Sequence, residues 1–214
     1  MIDTYRHKGL RKKLVEEIKR KGIDDKAILA AIEKIPRHLF IDSSFLQFAY
    51  QDNPFPIGYG QTISQPYTVA FQTWLLKVKK GDKIMEVGTG SGYQACVLLE
   101  LCAKVFTIER IKALFDKVKV FLPSIGYEPR FFYGDGYQGL PTFAPFDKII
   151  VTAGAPTIPE ALVKQLKVGG ILVIPVGKND VQVMTSVTKT SETTYETKEW
   201  GMFRFVPLLY DKEK

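Results

Sequence analysis

A glycine-rich segment, Gly88-Thr89-Gly90-Ser91-Gly92, follows a short apolar run and is the strongest chemical feature of the sequence. Glycines allow backbone angles that other residues avoid, and they leave no side chain between the backbone and a ligand. Dinucleotide-binding loops need a third glycine three positions after the second, and Tyr93 occupies that position. The spacing is therefore not that of a dinucleotide-binding loop.

Three carboxylates accompany this loop. Glu86 stands two residues before Gly88, and Glu109 stands 21 positions after Gly88 at the end of the next predicted strand. A carboxylate in the place of Glu109 can accept both ribose hydroxyls of a nucleoside. Asp135, within Gly134-Asp135-Gly136, follows a third strand and is placed for the adenine edge. Together they indicate a bound adenosine cofactor, although Glu109 alone could equally be a solvated carboxylate beside Arg110.

The elements that must position these residues alternate between strand and helix. Apolar runs predict strands at 83–87, 104–109, 130–133, 148–152 and 171–174, and helices are expected between them. This alternation predicts an α/β fold with a doubly wound, mostly parallel sheet covered by helices on both faces. Ligands of such sheets bind at the carboxyl ends of the strands, where the strand order reverses.

The two ends of the chain differ from this core. Two short helices are predicted first, with Gly22 as a stop and Asp24 or Asp25 as a cap, and a long loop is expected from 50 to 66. The tail predicts three strands, 181–188, 194–200 and 202–206, which would form an antiparallel edge. We expect one domain, divided into N-terminal helices and substrate loop (1–68), cofactor-binding core (69–180) and C-terminal strands (181–214).

Composition excludes several classes of protein. The 214 residues, 45% of them hydrophobic, can bury one core, and the sequence shows neither a signal peptide nor a membrane-spanning stretch. We expect a cytoplasmic monomer. The cysteines are six positions apart, and His7 and His38 are the only histidines, so no metal site is expected. The net charge of +7 is not densely clustered, and we expect neither a nucleic-acid nor a membrane partner.

The glycine loop and Glu86 resemble the first motif of class I S-adenosylmethionine-dependent methyltransferases. A more specific resemblance, nearly end to end, is to the protein-L-isoaspartate O-methyltransferase family. The segments that carry it are Pro36-Arg37-His38-Leu39-Phe40, Gly58-Tyr59-Gly60-Gln61-Thr62-Ile63-Ser64-Gln65-Pro66-Tyr67, Gly134-Asp135-Gly136, Ala144-Pro145-Phe146-Asp147 and Pro175-Val176-Gly177.

The resemblance implies a substrate, a cofactor and site residues. The enzyme would methylate the free α-carboxylate of isoaspartyl residues in damaged proteins and peptides, with S-adenosylmethionine as donor and S-adenosylhomocysteine as product. Ser64 would be catalytic, aiming the acceptor carboxylate. The expected cofactor-binding residues are Thr62, Ile63, Glu86, Gly88, Thr89, Gly90, Ser91, Gly92, Glu109, Asp135 and Gly136. The expected acceptor-binding residues are Thr62, Ser64, Gln65, Val151 and Thr152.

Three alternatives remain open at this level. Ser64 could simply stabilise the turn before Gln65-Pro66. The acceptor could be a small acid or RNA, a reading supported only by the positive charge. The chain could also be a degenerate methyltransferase fold that serves as a binding module, which the joint presence of the loop glycines, Glu109, Asp135 and Ser64 argues against.

Overall fold

A computed structural model of the protein describes residues 3–213. The α-helices of the described chain are α1 (Tyr5–Arg20), α2 (Lys26–Lys34), α3 (Pro66–Leu76), α4 (Tyr93–Glu100), α5 (Lys112–Ser124) and α6 (Glu160–Lys164). Its strands are β1 (Phe55–Gly58), β2 (Gln61–Ile63), β3 (Lys83–Val87), β4 (Lys104–Glu109), β5 (Arg130–Tyr133), β6 (Phe146–Val151), β7 (Leu166–Val176), β8 (Gln182–Lys189) and β9 (Tyr195–Phe203). Short 3-10 turns occupy 37–40, 43–48 and 141–143.

Seven strands form one sheet in the order β5-β4-β3-β6-β7-β8-β9. The first five in this order are parallel, and β7, β8 and β9 pair antiparallel. The order runs outward from β3 to β5 and then returns to β6 on the other side of β3, which creates a switch point between β3 and β6. The predicted doubly wound, mostly parallel α/β sheet with an antiparallel C-terminal edge is confirmed.

Alternating apolar residues fill the two faces of the sheet. On β3, Ile84 packs with the N-terminal helices, while Met85 packs on the opposite face with Leu162 of α6. Side chains of successive strand residues point to opposite faces, so both faces of the central strands can be buried. The core therefore holds β3 and β6 rigidly, and with them the loops at their carboxyl ends.

The N-terminal decoration forms as expected. The backbone at Gly22 has φ +101° just after α1, and the side chain of Asp25 accepts hydrogen bonds from the backbone N–H groups of Ala27 and Ile28 at the start of α2. Asp25 rather than Asp24 is thus the cap. Within residues 3–213, no helix combines the length and the apolar character needed to cross a bilayer.

Two sequence predictions about local structure are wrong. The 50–66 loop contains a β-hairpin of β1 and β2, because Gly58, Tyr59 and Gly60 all adopt positive φ and reverse the chain. The tail forms two strands rather than three, because the chain after Phe203 leaves the sheet and pairs with Gly154 instead. The expected boundary at 68 falls inside α3, which begins at Pro66.

Candidate active site

The glycine loop joins β3 to α4 at the switch point of the sheet. Gly88, Gly90 and Gly92 have φ of +96°, +52° and +81°. A Cβ built on Gly88 would lie 2.5 Å from the Oγ1 of Thr152, which follows β6. The Thr152 hydroxyl donates to the backbone oxygens of Gly88 (2.7 Å) and Val87 (3.1 Å). Glycine at 88 therefore lets the loop after β6 approach the loop after β3.

A cleft lies above these loops. Of the residues expected to bind the cofactor, the structure brings seven together in its lining, namely Thr62, Gly88, Thr89, Gly90, Ser91, Glu109 and Gly136. Ser64 and Thr152, expected at the acceptor, also line it. Gly136 could not carry a side chain here, because its Cβ would lie 2.6 Å from Val87 Cγ1. The cleft thus forms at the carboxyl ends of β3, β4, β5 and β6.

The Glu109 carboxylate is buried at the end of β4 and is held by the backbone. Its Oε2 accepts from the N–H of Gly90 at 2.9 Å, and its Oε1 accepts from Arg110 and Ile111, both at 2.9 Å. The neighbouring Arg110 guanidinium pairs with Glu213 instead, at 2.8 Å. Each carboxylate oxygen has two lone-pair sites, so Oε1 is fully used and Oε2 keeps one site that can accept from a hydroxyl group in the cleft.

Glu86 lies behind the cleft rather than in its wall. It is fully buried, and its Oε2 accepts from the Thr107 hydroxyl, which in turn contacts the Thr89 hydroxyl at 2.6 Å. Burial raises the pKa of Glu86 to about 8, with hydrogen bonding from Thr107 opposing the shift and the charge of Glu109 adding to it. Glu86 can therefore reach the glycine loop through the two threonines, and its direct contact with a cofactor stays a prediction.

The other expected site residues do not line the cleft. Ile63 and Val151 are buried in the core, and Gly92 is the N-cap residue before α4, close to Leu122. Asp135 accepts a hydrogen bond from the backbone N–H of Tyr137 (2.8 Å) and is not part of the cleft lining. Gln65 lines a neighbouring groove. Their contacts with cofactor or acceptor remain predictions.

The C-terminal segment forms a wall that sequence reasoning missed. Val206, Pro207, Leu208 and Leu209 line the cleft. The segment is fastened by backbone hydrogen bonds with Gly154 at 2.7 and 2.8 Å and by the Arg110–Glu213 ion pair at 2.8 Å. No motif marks these apolar residues, and their position follows from the two strands that carry the chain across the sheet. Only the three-dimensional fold identifies them.

A second, more open groove meets the cleft at the turn after β2. It is walled by aromatic residues from α3 and β9, among them Tyr67, Phe71, Trp200 and Phe203. Thr62, Ser64, Thr152 and Val206 line both the cleft and this groove. The charged side chains along the groove are Arg204 and Lys21, and Lys21 forms ion pairs with Glu17 and Asp52. The junction thus joins the cleft to an open groove with aromatic walls.

The cleft suits a donor-rich adenosine cofactor. Besides Glu109, the buried Oε1 of Gln94 has no hydrogen-bond partner in the described protein, and Gln94 lines the cleft. S-adenosylmethionine presents ribose hydroxyls, an adenine amino group and an ammonium group, all hydrogen-bond donors. The unpartnered Oε1 of Gln94 and the remaining lone pair of the Glu109 carboxylate fit such donors. Residues of the glycine loop and Glu109 would hold the cofactor.

The two histidines lie together, which sequence spacing did not predict. The rings of His7 and His38 are 3.9 Å apart, and one ligand atom from each of Asp3, His7 and His38 lies within 4.8 Å of the others. Both Asp3 oxygens accept from Arg11, each at 2.8 Å, and the His38 Nδ1 is 2.6 Å from the Tyr50 hydroxyl. Burial lowers the pKa of His38 to about 4, with repulsion from His7 adding to it. This cluster packs around the buried guanidinium group of Arg11.

The switch-point cleft, the glycine loop and the strand-end carboxylate define the chain as a class I S-adenosylmethionine-dependent methyltransferase. Residues 9–214 match the family model described as protein-L-isoaspartate(D-aspartate) O-methyltransferase. The chain therefore belongs to the protein-L-isoaspartate(D-aspartate) O-methyltransferase family, whose members are protein-repair methyltransferases that use S-adenosylmethionine.

Individual relatives agree with this placement. The protein-L-isoaspartate O-methyltransferase of Christiangramia forsetii is 60% identical over 213 residues, which are 99% of this chain and 100% of the relative. That of Dictyoglomus thermophilum is 48% identical and covers 97% of this chain and 94% of its own. A Plasmodium falciparum structure in complex with S-adenosyl-L-homocysteine, described as a protein of this family, has a TM-score of 0.79 and 29% identity, covering 93% and 98% of the two chains. A solved protein-L-isoaspartate O-methyltransferase superposes with a TM-score of 0.82 at 29% identity, covering 92% of this chain and 65% of that one.

Proposed function

We propose that this enzyme transfers the methyl group of S-adenosylmethionine to the free α-carboxylate of L-isoaspartyl residues in damaged proteins and peptides, with Ser64 positioning the acceptor. One observation carries the assignment: Ser64, Thr62 and Thr152 line both the cofactor cleft and the open groove. A methyl donor in the cleft and a peptide in the groove would meet only at this junction.

The residues of the junction suit a carboxylate acceptor. When bound, S-adenosylmethionine supplies an electrophilic methyl group on a sulfonium centre. An ionised carboxylate needs no proton removed before it attacks such a group, and no carboxylate or imidazole lines the groove to act as a base. The Ser64 hydroxyl can donate to the acceptor and fix its direction, while a peptide bound in the groove would shield the junction from water. Catalysis then depends on orientation and desolvation.

The groove is open enough for a polypeptide. It extends from Ser64 past the stacked rings of Tyr67, Phe71 and Phe203 to the exposed Met202 on the edge strand β9. Such an aromatic surface can hold an extended peptide through side chains of varied type, since apolar contacts are not directional. Peptides with an isoaspartyl residue are thus the substrates that we propose.

The Ser64→Ala variant tests the role given to the junction. We expect kcat/KM for an isoaspartyl peptide to fall about 10- to 100-fold, because the acceptor loses its aiming hydrogen bond. The affinity for S-adenosylhomocysteine should be unchanged in calorimetry. Ser124→Ala, an exposed serine near the end of α5, serves as the matched control. Equal losses in turnover and cofactor affinity would refute the division between Ser64 and the cleft.

The acceptor itself is tested with a pair of peptides that differ only in an isoaspartyl or aspartyl linkage. Wild-type enzyme and labelled S-adenosylmethionine should label the isoaspartyl peptide alone. Labelling of both peptides, or of neither, would contradict the proposed acceptor.

A further inference from the structure

Arg37, in the segment Pro36-Arg37-His38-Leu39-Phe40, has a role that cofactor and acceptor binding leave unexplained. Its side chain is only 1% exposed, although arginine is among the residues least often buried completely. Its Nη1 donates to the carbonyl of Ala49 at 2.7 Å, and its Nη2 donates to Asn53 at 2.9 Å and to Ser64 at 3.1 Å. One guanidinium group therefore ties the 49–53 segment to the acceptor turn.

The charge of Arg37 has no ion-pair partner within residues 3–213. Its guanidinium carbon lies 5.4 and 5.8 Å from the ring centres of Phe55 and Tyr93, and its buried Nε has no acceptor. Burial lowers the pKa of Arg37 to about 10, and the negative charge of Asp52, which forms no ion pair with Arg37, partly opposes this shift. Burial of a charge without a counter-ion is unfavourable, so packing alone gives no reason for an arginine here.

Arg11 offers an instructive contrast. This second buried arginine binds both oxygens of Asp3, each at 2.8 Å, and also donates to the Glu33 carbonyl. Arg11 therefore has the counter-ion that Arg37 lacks, and it makes no hydrogen bond to the acceptor turn. The two residues have similar burial, but only one reaches the site.

Asp52 completes the attachment of the turn from the other side. Its Oδ2 accepts from the side-chain amide of Gln65 at 2.9 Å and from Lys21 at 2.5 Å, and its Oδ1 accepts from the backbone N–H of Tyr67 at 2.7 Å. Ser64 is thus held by Arg37 at its carbonyl, while the residues after it are held by Asp52.

We propose that Arg37 is a positioning residue that fixes the Ser64 backbone so that the hydroxyl faces the junction of cleft and groove. Arginine suits this task because its planar guanidinium presents donors in several fixed directions, whereas the single ammonium group of lysine cannot span three carbonyls in this geometry. The inference rests on the proposed role of Ser64, and it adds a determinant of acceptor binding that lies outside both cavities.

The test compares Arg37→Lys with Arg11→Lys, a matched change of a buried arginine. Arg37→Lys should lower kcat/KM for an isoaspartyl peptide about tenfold or more, because a small displacement of a positioning group is sufficient for such a loss. Its KM for the peptide should rise while the Kd for S-adenosylhomocysteine stays at the wild-type value. Arg11→Lys should lower thermal stability without changing the peptide KM. A mere loss of folded protein would lower kcat and leave both constants unchanged, which would overturn the proposal.

Two further measurements keep the result decisive. In a Ser64→Ala background, Arg37→Lys should add little further loss, since Arg37 acts through that hydroxyl, and a fully additive loss would overturn the proposal. Hydrogen exchange should become faster at residues 61–65 in Arg37→Lys and stay unchanged at residues 88–92; no change at 61–65 would also overturn it. Hydrogen exchange is measured without an acceptor, so it tests the role of Arg37 alone. The proposed substrate is tested separately, with the peptide pair and the wild-type enzyme.

Discussion

Replacement of Gly88 by alanine probes the contact on which the switch-point site depends. The residue has φ +96°, and its new Cβ would lie 2.5 Å from the Thr152 Oγ1, closer than real Cβ atoms come. Alanine at positive φ costs about 1–2 kcal/mol. Rotation of the threonine away from the Cβ would also remove its hydroxyl hydrogen bond to the carbonyl of Gly88 or Val87, which is worth about 1 kcal/mol. We expect a total loss of about 2–3 kcal/mol in the free energy of unfolding.

Gly22 separates the two contributions. It has nearly the same φ, +101°, but a Cβ there would meet nothing within 4 Å. Urea unfolding of Gly22→Ala should therefore show the backbone cost alone. In a Thr152→Ala background, Gly88→Ala should fall to the same smaller cost, a coupling of about 1 kcal/mol. If Gly88→Ala and Gly22→Ala cost the same in the wild-type background, the argued approach of the two loops is wrong.

Three further predictions concern the walls of the cleft and the carboxyl group buried behind them. Glu109→Gln should weaken S-adenosylhomocysteine binding about 10- to 100-fold in calorimetry, because an amide NH2 would face a backbone N–H and the charged acceptor would be lost. Glu100→Gln is the control. Unchanged affinity of Glu109→Gln would refute the assignment. The pKa of Glu86 is about 8 in the folded protein, so the stability that its protonated form contributes is present below the ordinary pKa of 4.5 and is lost as the pH rises through 8. Relative to Glu86→Gln, the free energy of unfolding of the wild type should fall by about 3 kcal/mol between pH 5 and pH 8. Parallel curves of stability against pH for the two proteins would contradict this. Arg110→Ala should speed dissociation of S-adenosylhomocysteine severalfold in stopped-flow measurements by loosening the C-terminal wall, and an unchanged rate would show that the Arg110–Glu213 pair does not hold that wall.

The sequence is sufficient to predict the parts of the fold that depend on local periodicity. Apolar runs such as 83–87 and the alternation with helices determine a parallel sheet, and the glycine spacing and Glu109 follow at strand ends where topology brings them together. The hairpin at 55–63 was harder to predict, because its turn depends on positive φ at Tyr59, a residue that rarely adopts it.

The remaining site features depend on long-range contacts that no local pattern encodes. Leu208 enters the cleft wall because its backbone pairs with Gly154, more than fifty residues earlier in the chain. Arg37 reaches Ser64 across 27 positions, and a single arginine after a proline gives no sign of that contact. Glu86 illustrates the reverse case, in which the sequence marks a residue whose side chain the fold places behind the wall.

The acceptor is the central claim, and product analysis with the wild-type enzyme tests it most directly. An isoaspartyl peptide and its aspartyl counterpart are incubated together with S-adenosylmethionine, and the products are separated by chromatography and identified by mass. We predict a methyl ester on the isoaspartyl peptide only, followed by the succinimide and then by a rising amount of the aspartyl peptide. Methylation of the aspartyl peptide at the same rate, or persistence of an unmodified isoaspartyl peptide, would contradict the account.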